Sequence, residues 1–127
     1  MKKIILYIQV CVLCVLSFLC TSCFSKEDFG YPETISFPAE GGEIAATGEV
    51  PFWDAEIQDY KGNQGRKVYN TEDMEAVEYD WLRVEYKLNG TDEIRVIAKP
   101  NSTSKSRKLY IELYSGPEYD VIEVKQK

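Results

Sequence analysis

Short stretches in which apolar and polar residues alternate recur along the chain from residue 34 onward. In the stretch 93–99, for example, Ile94, Val96 and Ala98 occupy every second position. A period of two is typical of β-strands that bury one face and expose the other. The seven stretches that follow or approach this pattern are 34–37, 43–50, 52–58, 81–88, 93–99, 107–114 and 119–125. Seven short strands without a sustained helical period predict an all-β domain, built as two packed antiparallel sheets.

Turn signals separate these stretches, except between residues 60 and 80. Asn89-Gly90 is the strongest signal, because both residues tolerate the positive φ that a tight hairpin requires. The segment 60–80 is rich in polar residues, and we expect a long loop there with at most one helical turn, over 70–76. A long loop on a compact domain often carries function.

The first 22 residues have the pattern of a lipoprotein signal peptide. A short basic start precedes an apolar run over 4–20, and small residues then lead directly to Cys23. The sulfur of such a cysteine accepts a diacylglyceryl group. We therefore expect residues 1–22 to be cleaved, Cys23 to carry lipid, and residues 23–33 to form a flexible tether. The alternative is an uncleaved transmembrane anchor.

The residues around the predicted cleavage site indicate where in the cell the protein is located. Cleavage would remove three of the four cysteines, so that Cys23 would have no partner for an intrachain disulfide. The polar tetrad from Ser25 to Asp28 resembles the export signal of surface-exposed lipoproteins in Bacteroidetes, and the alternative is a solvated tether with incidental charge. We expect a protein that its lipid anchors in the outer membrane, exposed at the cell surface.

The charge of the chain restricts its partners and its chemistry. The sequence has 15 Lys and Arg against 21 Asp and Glu, a formal charge of -6, which argues against a nucleic-acid partner. It has no His, so an imidazole base and the commonest zinc ligand are absent. The acidic residues between 72 and 80 have neither the order of a calcium loop nor a predicted cleft for paired catalytic carboxylates. We expect no enzyme activity, no cofactor and no metal site.

The two tryptophans are expected in the core. Trp53 alternates in phase with Ala55 and Ile57, and Trp81 directly precedes Leu82. Large aromatic rings in phase with apolar neighbours usually fill a core. The alternative is that one or both rings form a stacking platform for a sugar.

Tyrosines are the better candidates for ligand binding. Tyr60, Tyr69 and Tyr79 lie in or beside the polar segment 60–80, and a tyrosine offers a sugar both a ring and a hydroxyl. The alternative is that these three side chains hold the segment against the sheet. A second, weaker platform is predicted where Tyr110 and Tyr114 share a strand face with Glu112.

Five short elements follow one another between residue 34 and the end of the chain. They are an apolar strand with a Gly-Gly turn, a Trp strand, a second Trp before Leu and Val, an apolar strand that leads to Asn-Ser-Thr and an Arg, and an alternating strand that ends in Gln. Their characteristic residues are Gly41, Gly42, Trp53, Trp81, Asn101, Arg107 and Gln126. In this order the elements resemble the BACON family, the Bacteroidetes-associated carbohydrate-binding domain, over residues 34–127. The resemblance implies an immunoglobulin-like β-sandwich and, as a proposal made for the family, carbohydrate binding.

Together these patterns predict a surface-anchored lipoprotein without enzyme activity that binds a glycan or a host polymer weakly, through exposed aromatic residues. Its partners would be the membrane, through the N-terminal lipid, and a glycan. The alternative is a structural spacer, or a protein-interaction subunit of a cell-surface complex, with no ligand of its own.

The lipid prediction is tested by the substitution Cys23→Ala. We expect the variant to remain an unlipidated precursor, because the alanine side chain offers no sulfur for acylation. Metabolic labelling with a fatty-acid analogue measures this directly, and label on the variant equal to that on the wild type would contradict the prediction.

Overall fold

The computed structural model describes residues 24–127, apart from the side chains of Tyr69 and Asn70, and this part of the chain folds into ten β-strands. The predicted signal peptide 1–22 and Cys23 lie outside the described residues. None of the described residues belongs to a helix that could cross a bilayer. The strands are β1 (Ser25–Lys26), β2 (Thr34–Phe37), β3 (Gly42–Phe52), β4 (Asp54–Gln58), β5 (Arg66–Asn70), β6 (Met74–Tyr79), β7 (Leu82–Lys87), β8 (Thr91–Ala98), β9 (Arg107–Ser115) and β10 (Glu118–Gln126).

The strands form two five-stranded sheets, which confirms the predicted all-β sandwich. In the first sheet β10 lies between β9 and an edge shared by β1 and β2, and β4 completes the other side of β9. The second sheet has the order β3-β8-β7-β6-β5. When β3 is taken as strand B of an immunoglobulin-type sandwich, β3-β8-β7 corresponds to the strand order B-E-D, and β4-β9-β10 corresponds to C-F-G. Most pairs are antiparallel, but β1 and β2 both run parallel to β10.

Alternation along the central strands builds the core. On β9 the odd-numbered residues Leu109, Ile111 and Leu113 are buried, and on β10 Ile122 and Val124 face them from the same sheet. The second sheet contributes its own buried positions, which include Val77, Leu82, Val84, Ile94, Val96 and Ala98. Each fully buried aliphatic side chain stabilises the fold by about 1.5–3 kcal/mol relative to exposure. The even-numbered residues of β9 are thereby directed outward.

Residues 25–33 differ from the predicted flexible tether. The backbone N–H of Phe29 donates to the Asp120 carboxylate at 3.0 Å, and the Phe29 carbonyl accepts the N–H of Glu49 at 2.7 Å. The rings of Phe29 and Tyr31 are buried, and Tyr31 packs against Gly48, where a Cβ would come within 2.3 Å of the ring. These buried rings and hydrogen bonds make the stretch part of the domain.

The segment 60–80 also differs from expectation, since it contains a β-hairpin and no helical turn. β5 and β6 pair antiparallel, and β6 pairs in turn with β7, so that the hairpin extends the second sheet. Thr71 closes the connection, because its N–H donates to the Met74 carbonyl at 2.9 Å and its hydroxyl accepts the Met74 N–H at 3.1 Å. The stretch 70–76, where one helical turn was expected, therefore contains the turn of a hairpin.

A polar cluster joins this hairpin to β4 in the other sheet. The Lys67 ammonium contacts the carboxylates of Asp54 and Glu75, and it lies 2.7 Å from the hydroxyl of the buried Tyr86. Burial alone would lower the pKa of Lys67, but the hydrogen bonds to Asp54 and Glu75 outweigh it and raise the pKa. Lys67 consequently stays charged and neutralises the acidic groups around it.

The two tryptophans have different environments. Trp81 is only 4% exposed, which confirms the expected core position, but Trp53 is 57% exposed, and the prediction for it was wrong. Phe52 and Ala55 both point into the core, with two residues between them. Strict alternation would place only one residue between successive buried positions. The chain crosses from one sheet to the other at this bend, and the Trp53 ring lies on Gly90, where a Cβ would come within 2.9 Å of it.

Several of the residues that carry the family resemblance, but not Trp53, converge at one end of the sandwich, which we call the Arg107 end. The Arg107 guanidinium lies 4.9 Å from the centre of the Trp81 ring and donates to the Gln126 side chain at 2.8 Å. Gln126 is buried and donates to the Lys99 carbonyl at 2.7 Å. Gly41 has φ +81°, and a Cβ there would come within 2.4 Å of the Ala98 carbonyl. These contacts give Gly41, Trp81, Arg107 and Gln126 a structural role.

The contrast between the tryptophans generates a stability prediction. Trp81→Ala should lower the free energy of unfolding by about 3–5 kcal/mol, because it removes a buried ring and the platform beneath Arg107. Trp53→Ala is the matched control and should cost about 1 kcal/mol or less. Urea unfolding measures both, and equal losses for the two variants would contradict the assignment.

Candidate functional site

An aromatic surface lies on the outer face of the first sheet. Because Leu109, Ile111 and Leu113 point inward, the intervening residues of β9 point outward. Two of them are tyrosines, Tyr110 and Tyr114, with Glu112 between them. The β9–β10 register places Tyr119 directly opposite Tyr114. The strand pairing therefore concentrates aromatic side chains at one end of this face.

These side chains enclose a shallow groove of about 310 Å³, which we call the aromatic groove. It is lined by Phe24, Tyr60, Glu112, Tyr114 and Tyr119. The Tyr114 and Tyr119 rings lie 6.2 Å apart with an angle of 34° between their planes. Tyr60 packs against Tyr110 at 4.7 Å and 50°, while 55% of Tyr60 stays exposed. The groove thus offers a broad aromatic surface to solvent.

A tight turn after β4 places Tyr60 in the groove. The Asp59 carboxylate accepts the backbone N–H groups of Lys61 at 2.7 Å and Asn63 at 3.1 Å, and also the Asn63 side-chain amide at 2.9 Å. The bond to the Asn63 amide, followed by that to Lys61, lowers the pKa of Asp59 to about 2. Tyr60 adopts φ +58°, the left-handed region, within this turn. The turn directs its ring back over β9.

Glu112 controls the chemistry of the groove. Its carboxylate accepts a hydrogen bond from the Tyr114 hydroxyl. Burial first, and the Glu112 carboxylate second, raise the pKa of both Tyr60 and Tyr114. Both phenols therefore remain protonated, as hydrogen-bond donors, well above neutral pH.

The surroundings of the groove are acidic. Glu56 on β4 is registered directly opposite Glu112, a pair of like charges on one face. At the far side, Lys108 lies 5.8 Å from the centre of the Tyr110 ring and 3.7 Å from the Glu123 carboxylate. Lys26 on β1 is registered opposite Tyr119, but the lining of the groove itself contains a single charged group, the Glu112 carboxylate. The lining therefore carries negative charge.

Of the three tyrosines predicted from the segment 60–80, one lines the groove. Tyr60 does so, whereas the hydroxyl of Tyr79 donates to Asp59 at 3.2 Å and helps to hold the turn. The side chain of Tyr69 lies outside the described residues, and a binding role for it stays a prediction. The predicted row of Tyr110, Glu112 and Tyr114 is found on the outer face.

Two residues that line the groove, Tyr119 and Phe24, were not predicted from the sequence. Tyr119 could have been found by extending the register outward from the Ser115–Glu118 turn, which pairs it with Tyr114. Phe24 carried no signal, because it follows the apolar leader and precedes a strand of two residues.

A larger groove of about 510 Å³ lies beside the first, between residues 26–34 and β10. Its lining is mainly acidic, but the Asp28 and Asp120 carboxylates are occupied by backbone N–H groups of Gly30 and Phe29. Across residues 24–127, no three Cys, Asp or Glu side chains lie close enough together to hold a metal ion. We regard this groove as a consequence of the docked N-terminal segment.

Comparisons with known proteins bear on the fold. No protein-family model matches the chain, and neither does any curated protein. The NMR structure of a protein from Bacteroides thetaiotaomicron is similar, with 17% identity and a TM-score of 0.52 over 80% of this chain and 85% of that chain. A GH5 xyloglucanase from Bacteroides ovatus, solved with a XXXG heptasaccharide, gives 18% identity and a TM-score of 0.45 over 75% of this chain and 17% of its own. The first similarity supports the sandwich fold alone, and no catalytic family is indicated for this chain.

The role of Glu112 gives a prediction for tyrosine ionisation. In Glu112→Gln the pKa values of Tyr60 and Tyr114 should move down toward the usual tyrosine value near ~10, although burial keeps them partly raised. The absorbance of phenolate against pH measures this, and Glu123→Gln serves as a control on the same face. A titration curve identical to the wild type would show that Glu112 does not act on these phenols.

Proposed function

We propose that the protein is a surface-exposed lipoprotein of the outer membrane whose BACON-like domain binds a neutral glycan weakly, without enzyme activity. The observation that carries the proposal is the aromatic groove, with Tyr114 and Tyr119 side by side and Tyr60 exposed above them. The similar fold of the Bacteroides thetaiotaomicron protein is compatible with it.

The groove suits a sugar for two reasons. The face of a pyranose carries polarised C–H groups, which pack favourably against the electron-rich face of an aromatic ring. The Tyr114 proton is held by the Glu112 carboxylate, whose remaining lone pairs, together with the phenol oxygens of Tyr60 and Tyr114, can accept hydrogen bonds from sugar hydroxyls. A shallow, open groove gives modest affinity, because it buries only part of a ligand.

Charge selects among glycans. Glu112 and Glu56 face each other beside the rings, and the chain has an excess of acids. A uronic-acid or sulfated polymer would bring further negative charge to this surface and be repelled. The groove therefore favours neutral chains over polyanionic ones.

Binding fits the groove better than hydrolysis does. A glycosidase uses two carboxyl groups on either side of the scissile bond. Among the described residues, Glu112 is the one acid that lines the aromatic groove. The hydrogen bond that Glu112 accepts from Tyr114 fixes both side chains in place, which suits a role in orienting a bound ligand.

The second candidate is a structural spacer or an interaction subunit of a surface complex. The Arg107 end favours it, because Trp81, Arg107 and Gln126, which carry part of the family resemblance, hold the fold together there. In this alternative the family resemblance reflects the fold and not a binding function, and the aromatic groove binds no soluble ligand.

Affinity electrophoresis tests the proposal. Gels that contain neutral polysaccharides should retard the mature protein, and their carboxymethylated counterparts should do so less. Tyr60→Ala and Tyr114→Ala should each weaken binding about fivefold, since an aromatic contact contributes about 1 kcal/mol.

Trp53→Ala is the matched control, because Trp53 is an exposed ring that does not line the groove. It should leave retardation unchanged. Equal loss in all three variants would place the binding elsewhere, and no retardation of the wild type by any polysaccharide would favour the spacer.

A further inference from the structure

The docked N-terminal segment fixes where a lipid on Cys23 would leave the domain. The N–H of Ser25 donates to the Pro117 carbonyl at 2.9 Å, and β1 begins there. Phe24 is therefore the one residue between Cys23 and the sheet. Consecutive Cα atoms lie about 3.8 Å apart, so the lipidated residue is within about 8 Å of Ser25. Such a connection leaves little freedom for the domain to swing away from the membrane.

The end of the sandwich beside Phe24, which we call the anchor end, exposes two large rings. Phe24 is 66% exposed and Trp53 is 57% exposed, the two highest values among large hydrophobic side chains of the described residues. Both flank the β9–β10 turn, since the Trp53 N–H donates to the Tyr114 carbonyl at 2.8 Å. The order β1-β10-β9-β4 puts them three strand spacings apart, about 14 Å.

We infer that the anchor end rests on the bilayer surface, with Phe24 and Trp53 in the boundary between headgroups and acyl chains. Aromatic side chains favour this layer because their rings are apolar and their edges tolerate water. The inference depends on the lipoprotein part of the proposed function and not on glycan binding.

The rings, and not charge, would hold the anchor end to the membrane. Glu27, Asp28 and Glu118 lie beside Phe24 and are exposed, against a single nearby cation, Lys26. Anionic lipids would repel this surface, so the anchor end should bind a zwitterionic bilayer at least as strongly as an anionic one. The aromatic groove then begins at the membrane surface, since Phe24 belongs to both.

Quenching of tryptophan fluorescence tests the inference on the full lipidated protein in phosphatidylcholine vesicles. A phosphatidylcholine brominated on the acyl chains near the headgroup serves as the quencher. Only two tryptophans are present, and Trp81 is buried at the opposite, Arg107 end. The difference between the wild type and Trp53→Phe therefore isolates the Trp53 signal without altering the core.

We expect the brominated lipid to remove much of the Trp53 emission and to leave the emission of Trp53→Phe unchanged. A protein that floats with the vesicles but keeps its Trp53 emission would overturn the membrane contact and leave the lipoprotein proposal intact. A wild-type protein that does not float with vesicles would overturn both. Loss of glycan binding in a separate assay would affect neither result.

Discussion

The pairing of β9 with β10 is the interaction on which the rest of the structure depends. It runs without interruption from the Arg107–Gln126 pair to the Ser115–Glu118 pair. Its inner face supplies the centre of the core, and its outer face carries Tyr110, Glu112 and Tyr114. The free edge of β10 receives β1 and β2 in parallel. One hairpin thus sets the core, the aromatic groove and the course of the chain from the anchor.

The two ends of this hairpin have different uses. At the Arg107 end, buried side chains and backbone carbonyls satisfy one another, and little polar capacity is left for a ligand. Seven strand residues away, about 23 Å, Tyr114 and Tyr119 face solvent. The residues at the Arg107 end therefore have a structural role, and the aromatic groove lies at the other end of the hairpin.

Much of the sandwich was predictable, because period-two alternation reports one buried face directly. Alternation failed where other physics decided the outcome. At Trp53 the crossing between sheets changed the phase, and at residues 25–33 a parallel edge strand was too short to show a period. In the segment 60–80, polar composition concealed a hairpin whose Lys67 contacts Glu75 and Tyr86 in its own sheet and Asp54 in the other sheet. Tyr60 was predicted from its residue type, whereas placing Tyr119 required the β9–β10 register, and the sequence around Phe24 gives no signal for it.

The central claim is that the outer face of the β9–β10 hairpin is the ligand-binding surface. Amide and aromatic NMR shifts of the protein, followed during titration with a neutral oligosaccharide, test it most directly. The account predicts that the largest changes cluster at Tyr60, Glu112, Tyr114 and Tyr119. Changes centred on Trp81, Arg107 and Gln126, or no changes with any neutral oligosaccharide, would contradict it.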